Sequence, residues 1–181
     1  MQVRKATAGD LEEILGHNNT AVPAVNALDH PDLEHFLEVA HSFLVIDGPD
    51  DTIAGFMIGL GPGVEYDSLN YAWFSARYEE FIYVDRVVVA EQGRGLGVGT
   101  RLYDEFAARG RADGHEVMLA EVNIVPRNDV SLSFHDARGF VSVGEQDTEG
   151  GAKRVTLLEK RLDDRPRIIL GVDVPDGPVG S

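Results

Sequence analysis

The chain has 181 residues, no cysteine, and 31 acidic against 16 basic residues, for a formal charge of −15. That length suits one domain with a proper core, and the missing cysteines exclude a disulfide scaffold, thiol catalysis and cysteine-ligated zinc. The negative charge argues against nucleic acid as a partner and favours cationic ones such as amines.

Gln2 to Ala6 reads as a short strand. Thr7 to Asp10 carries helix-start chemistry, and Leu11, Ile14 and Leu15 share one helical face. The segment from His17 to Pro23 breaks that helix. A second helix is expected from Pro31 to Ala40, with Leu33, Phe36, Leu37 and Ala40 on its apolar face and Pro31 at its first position. Ser42–Ile46 and Thr52–Leu60 read as two strands of a hairpin around a turn at Asp47–Asp51. Gly61 to Glu80 is a polar, turn-rich excursion carrying Tyr66, Tyr71, Trp73, Phe74 and Tyr78. So many aromatic residues on a long connection suggest a substrate wall or lid; packing on the sheet is the plainer reading.

A β-branched run, Val84 and Val87–Val89, then reads as a buried strand. It leads into a loop with Gly93, Gly95, Gly97 and Gly99, and a helix from Thr100 to Ala112. Val98, Leu102 and Phe106 form that helix's buried face. Glu116–Asn123 reads as the next strand. Asn128 opens a short helix with Val130, Phe134 and Ala137 buried, and Gly139 is its C-cap candidate. Phe140–Val143 and Arg154–Lys160 are the last clear strands, with a turn-rich stretch over 146–151 between them. Residues 1–162 form the domain and 163–181 an extension, in which Arg167–Val174 has strand character and could dock on an edge strand or a second copy. The order implies a mixed α/β sheet with a parallel strand–helix–strand unit from Tyr83 to Asn123.

Strand, glycine loop and helix N-terminus together make a phosphate cradle, because glycines let backbone N–H groups approach an anion. A nucleotide P-loop needs Gly-Lys-Ser/Thr at its end, and this chain has Gly99-Thr100-Arg101. A dinucleotide loop needs a third glycine three residues after the second, and Thr100 or Leu102 stands there. Arg94-Gly95-Leu96-Gly97-Val98-Gly99 instead fits Arg/Gln-x-x-Gly-x-Gly. Here the chain resembles the GNAT superfamily of N-acetyltransferases. A second block, Asn128 to Phe140 with Ser131, Phe134, His135 and Gly139, is similar to that family's Asn-x-x-Ala/Ser-x-x-aromatic/Leu-Tyr-x-x-x-Gly-Phe helix.

The resemblance implies a GNAT-like, mostly antiparallel sheet, acetyl-CoA as cosubstrate without a metal, and acetyl transfer to a primary amine in a ternary complex. A non-catalytic CoA or acyl-CoA binder of the same fold is the alternative. The loop Arg94, Gly95, Gly97, Val98, Gly99 and Thr100 would hold the pyrophosphate, and Val87, Val88 and Val89 the pantetheine arm. Asn128 and Ser131 would also contact the cofactor, with a helix N-cap the equally good role for Asn128. His135 stands where the family has an acidic tyrosine; Tyr83 or Tyr103 could substitute. Asp85 is preferred as the base and Glu121 is the other candidate. Period-two alternation places Asp85 on the face of Val87 and Val89. Asn18, Asn19, Tyr66, Tyr71, Trp73, Phe74 and Tyr83 are the expected acceptor walls. The family often dimerises, so a homodimer is open. No segment can span a bilayer and no signal-peptide core is seen, so a cytoplasmic, membrane-free protein is expected.

Overall fold

The computed structural model describes residues 1–163; the Arg167–Val174 run lies outside them. Seven strands form one sheet in the order β1-β2-β3-β4-β5-β7-β6. They are β1 (Val3–Lys5), β2 (Ser42–Asp47), β3 (Ile53–Leu60), β4 (Phe81–Val89), β5 (Val117–Val125), β6 (Val141–Thr148) and β7 (Lys153–Arg161). All neighbours are antiparallel except β4 and β5, so the expected mixed sheet with one parallel unit is found. Helices α1 (Leu11–Thr20), α2 (His30–Val39) and α3 (Leu69–Ser75) cover one face, and α4 (Val98–Ala112) and α5 (Asp129–Ala137) the other.

The termini follow local chemistry. Asp29 and Asp32 make a reciprocal capping box at the start of α2. Asn128 caps α5 by accepting from the Ser131 N–H at 3.1 Å. The burial of α5 departs from the sequence reading: Val130 is 84% exposed, and the residue that faces inward is His135. The 146–151 stretch is mostly strand. β6 runs on to Thr148, and only Glu149–Gly151 turns.

The aromatic excursion forms α3 and closes the core. Phe74 is fully buried, and Tyr71 is buried with its hydroxyl donating to the Gly61 carbonyl at 2.7 Å. Trp73 packs on Gly144 of β6, where a Cβ would come within 2.9 Å of the indole, and the Arg77 guanidinium stacks on its other side at 3.8 Å. These three residues therefore pack on the sheet, and none of them lines the cavity between β4 and β5.

One irregularity in β4 decides what its side chains reach. Ile58 pairs with Arg86 and Gly59 with Val84, so Asp85 is an extra residue, a β-bulge. The bulge resets the alternation. Phe81, Tyr83 and Val88 pack in the layer of α1–α3, whereas Ile82, Val84, Val87 and Val89 pack with α4. Asp85 therefore faces away from Val87 and Val89, contrary to strict alternation.

Candidate active site

β4 and β5 pair over only three positions, Phe81↔Val117, Ile82↔Met118 and Tyr83↔Leu119. Beyond them both strands continue unpaired with each other. The sheet opens there into a cavity of about 390 Å³. Nine of the residues named from sequence line it: Asp85, Glu121, Tyr66, Tyr83, Val87, Tyr103, Asn128, Ser131 and His135.

The two carboxylates have different surroundings. Asp85 has both oxygens occupied: the Tyr66 hydroxyl donates to Oδ1 at 2.5 Å and Arg86 Nε to Oδ2 at 2.7 Å. Arg86 in turn donates to Asn18 Oδ1 at 3.0 Å and to the Asn26 carbonyl at 3.1 Å. Asn18 is thus a buried strut, and Asn19 binds Leu28 through both its amide oxygen and nitrogen. Neither asparagine lines the cavity; together they clamp the 21–29 loop onto α1.

Glu121 accepts from the Tyr83 hydroxyl at 2.9 Å to Oε1, and the nearby Asn70 side chain also favours its ionised form. Its Oε2 is buried without a partner. Burial, and after it the nearby Asp85 charge, push this carboxyl up to about 8. The same burial, with the Glu121 charge next, holds the Tyr83 phenol well above its ordinary value. Glu121 is therefore the carboxyl with a free oxygen and a proton affinity near neutrality, whereas Asp85 is committed to Arg86 and Tyr66.

His135 is 4% exposed. Its Nδ1 lies 2.7 Å from the Ser131 carbonyl, which can only accept, so Nδ1 carries the hydrogen. Burial lowers the ring's proton affinity and keeps it neutral. Nε2 is then an acceptor, and the Tyr103 hydroxyl donates to it at 2.8 Å. The imidazole has no N–H left for a leaving group, which corrects its sequence-derived role as the acid. Tyr103, from α4, lines the cavity at that point.

The glycine loop lies outside the cavity, at the start of α4. Gly95 and Gly97 take φ of +74° and +73°, which L side chains rarely adopt. Gly97 is the N-cap of α4 and offers no side chain to it, so the first N–H groups of the helix, Val98 to Thr100, are left for a ligand. Gly99 is neither strained nor crowded; a Cβ would meet only Phe134 and Val89, at 3.8–3.9 Å. Nothing inside the protein requires glycine there, whereas an anion on the helix N-terminus would. Tyr103 stands one turn further along α4, so the helix leads from the loop to the cavity. Val88 is a core residue, and Val89 belongs to the α4 side of the sheet.

Asp67–Asn70, from the excursion expected as a wall, line the cavity beside Tyr66; the walls from Ala24–Asn26 and from the β6–β7 tip with Thr148, Glu149 and Lys153 were not legible in the sequence.

The profile of the Acetyltransferase (GNAT) family matches residues 11–140. The chain belongs to that family. No curated protein matches the sequence. Solved structures with the same fold include Ard1 from Thermoplasma volcanium, 16% identical, covering 88% of this chain and 96% of that one, with a TM-score of 0.71. A ribosomal-protein-alanine N-acetyltransferase from Brucella melitensis is 21% identical over 89% of this chain and 99% of its own, with a TM-score of 0.69. The yncA acetyltransferase of Salmonella typhimurium, putative by its description and solved with acetyl-CoA, is 20% identical over 92% and 96%, with a TM-score of 0.69. The GNAT sheet, opened between its two parallel strands, is thus the frame on which this chain's Glu121, Tyr103 and His135 are set. Among the described residues no group of three or more His, Asp or Glu could hold a metal, and no helix is long and apolar enough to cross a membrane.

Proposed function

We propose that the protein transfers an acetyl group from acetyl-CoA to a primary amine by direct attack within a ternary complex. The observation that carries this reading is the unpartnered, buried Oε2 of Glu121 in the opening between β4 and β5, with the Tyr103 hydroxyl on the same cavity. A pure binding protein has no use for an unsatisfied buried carboxyl, which costs stability. A general base poised near working pH does.

The α4 N-terminus and the loop from Arg94 to Thr100 bind the pyrophosphate, and the unpaired edge of β4 near Val87 takes the pantetheine arm. Glu121 accepts the amine proton as nitrogen bonds to the acetyl carbon, then loses that proton to water. The carbon–sulfur bond breaks and its electron pair leaves on sulfur. Burial and the Glu121 charge hold the Tyr103 phenol well above its ordinary value, so it keeps its proton and acts as a hydrogen-bond donor. Its O–H is a rotor that can turn from His135 Nε2 to the sulfur. His135 is a positioning residue that fixes the phenol oxygen. The thiolate takes its proton from water on release.

Purified protein with acetyl-CoA and an amine panel should release free thiol in step with acetylated amine. Glu121→Gln should abolish most of that release while acetyl-CoA still binds. Full activity in that variant would refute the reading.

A further inference from the structure

The cavity wall restricts what the amine can carry. Its two cations are already ion-paired within the wall. Arg86 is held by Asp85 at 2.7 Å, and Lys153 by Glu149 at 2.7 Å. Glu121 and Asp67 line the same cavity without a cationic partner among the described residues. Glu121 is the decisive one, because it lines the cavity and its Oε2 is buried without a hydrogen-bond partner. An ammonium beside this side chain favours the ionised carboxylate. A carboxylate or phosphate beside the reacting amine meets no free cation among the described residues, and the Asp67 carboxylate repels it.

Lys153 Nζ lies 2.7 Å from Glu149 Oε1 and 3.4 Å from the Pro23 carbonyl. It ties the β6–β7 tip to the 21–29 loop across the acceptor side. With about 390 Å³ shared between the thioester end and the acceptor, the space suits a short aliphatic chain.

We propose that the acceptor is a small aliphatic diamine or polyamine, its reacting amine at Glu121 and a second ammonium at the Asp67 rim. This rests on the acetyl-transfer reading above. In balance, the bound ammonium first gives one proton through Glu121 to water; the free amine then forms the N–C bond as the C–S bond breaks, a second proton leaves nitrogen by the same route, and the thiolate takes one back from water, so one proton is released per turnover. The second ammonium is a spectator that orients the chain. A reaction that consumes carboxylate groups, such as amino-acid decarboxylation, is the class that supplies such an acceptor.

The test compares four acceptors at equal concentration: 1,4-diaminobutane, butylamine, the amino acid 4-aminobutyrate, and a short peptide with a free N-terminus. Acetyl-CoA binding is measured separately by calorimetry. The diamine should exceed the amino acid in kcat/KM by about 10-fold or more, since the exposed Asp67 repels the carboxylate about as much as it attracts an ammonium. It should exceed butylamine by about fivefold, the worth of a good exposed ion pair. Asp67→Asn, a change at an exposed position, should shrink the diamine's lead over butylamine towards one. Preference for the amino acid or the peptide, or an undiminished lead in the Asp67 variant, would overturn this proposal and leave acetyl transfer standing. Acetyl-CoA binding without turnover of any of the four also overturns it. Absence of acetyl-CoA binding instead sinks the acetyl-transfer reading itself.

Discussion

Replacing Glu121 by Gln should make the protein less active and more stable, and the gain in stability should grow with pH. The side chain keeps its shape and the Tyr83 hydroxyl keeps an oxygen to bind, so packing is conserved. What changes is ionisation. The folded carboxyl titrates at about 8 and an unperturbed one at 4.5. Folding therefore takes up a proton between these values. The stability this group contributes is fully present below 4.5 and is lost as pH rises through 8. Integrating the linkage relation, the penalty relative to low pH is about 1 kcal/mol at pH 5.5, about 3 at pH 7 and about 4 to 5 at pH 8.5. Glutamine has no such term. The difference in unfolding free energy between variant and parent should thus widen by about 3 kcal/mol from pH 5.5 to 8.5. Urea unfolding at three pH values, with equal m-values in both proteins, measures it directly. Parallel stability–pH curves would refute the burial argument, and with it the case for Glu121 over Asp85. In the same pH range kcat/KM of the parent should rise tenfold per unit and level off near 8, while the glutamine variant loses about 10²–10⁴-fold in rate and the slope.

Tyr103→Phe should lower kcat about 10- to 100-fold with little change in KM for acetyl-CoA, and His135→Phe should do the same less severely; steady-state kinetics with both substrates varied separates this from a binding loss. Gly97→Ala should cost about 1 kcal/mol in thermal or urea unfolding because of its positive φ, whereas Gly99→Ala should leave unfolding unchanged and weaken acetyl-CoA in calorimetry. Phe74→Ala should destabilise the fold by about 3–5 kcal/mol without altering the acceptor preference ratio, since it is a core residue.

The strand, glycine loop and helix around α4 were legible because they are local in the chain, although α4 starts at Val98, two residues before the expected Thr100; Asn128 as the α5 cap likewise follows from nearest neighbours. The acceptor half was opaque for a physical reason: its parts meet only through the fold. Tyr103 and His135 lie 32 positions apart and join across two helices. Lys153 reaches a carbonyl 130 positions away. The excursion over 61–80 lines the cavity through Tyr66 to Asn70, but its other aromatic residues pack elsewhere, because composition records how much apolar surface a segment has and not which side the chain turns it to. Trp73 found its partner in Gly144, a residue with nothing to announce a contact.

The extra residue in β4 has an evolutionary reading. A strand with unbroken alternation transmits any insertion or deletion along its whole length, because each residue's face is set by its neighbour's. Here the phase is reset at Asp85, midway between Tyr83 and Val87. A shift of register on one side of the bulge is absorbed there and leaves the faces of the residues on the other side in place. The strand behaves as two modules on one backbone.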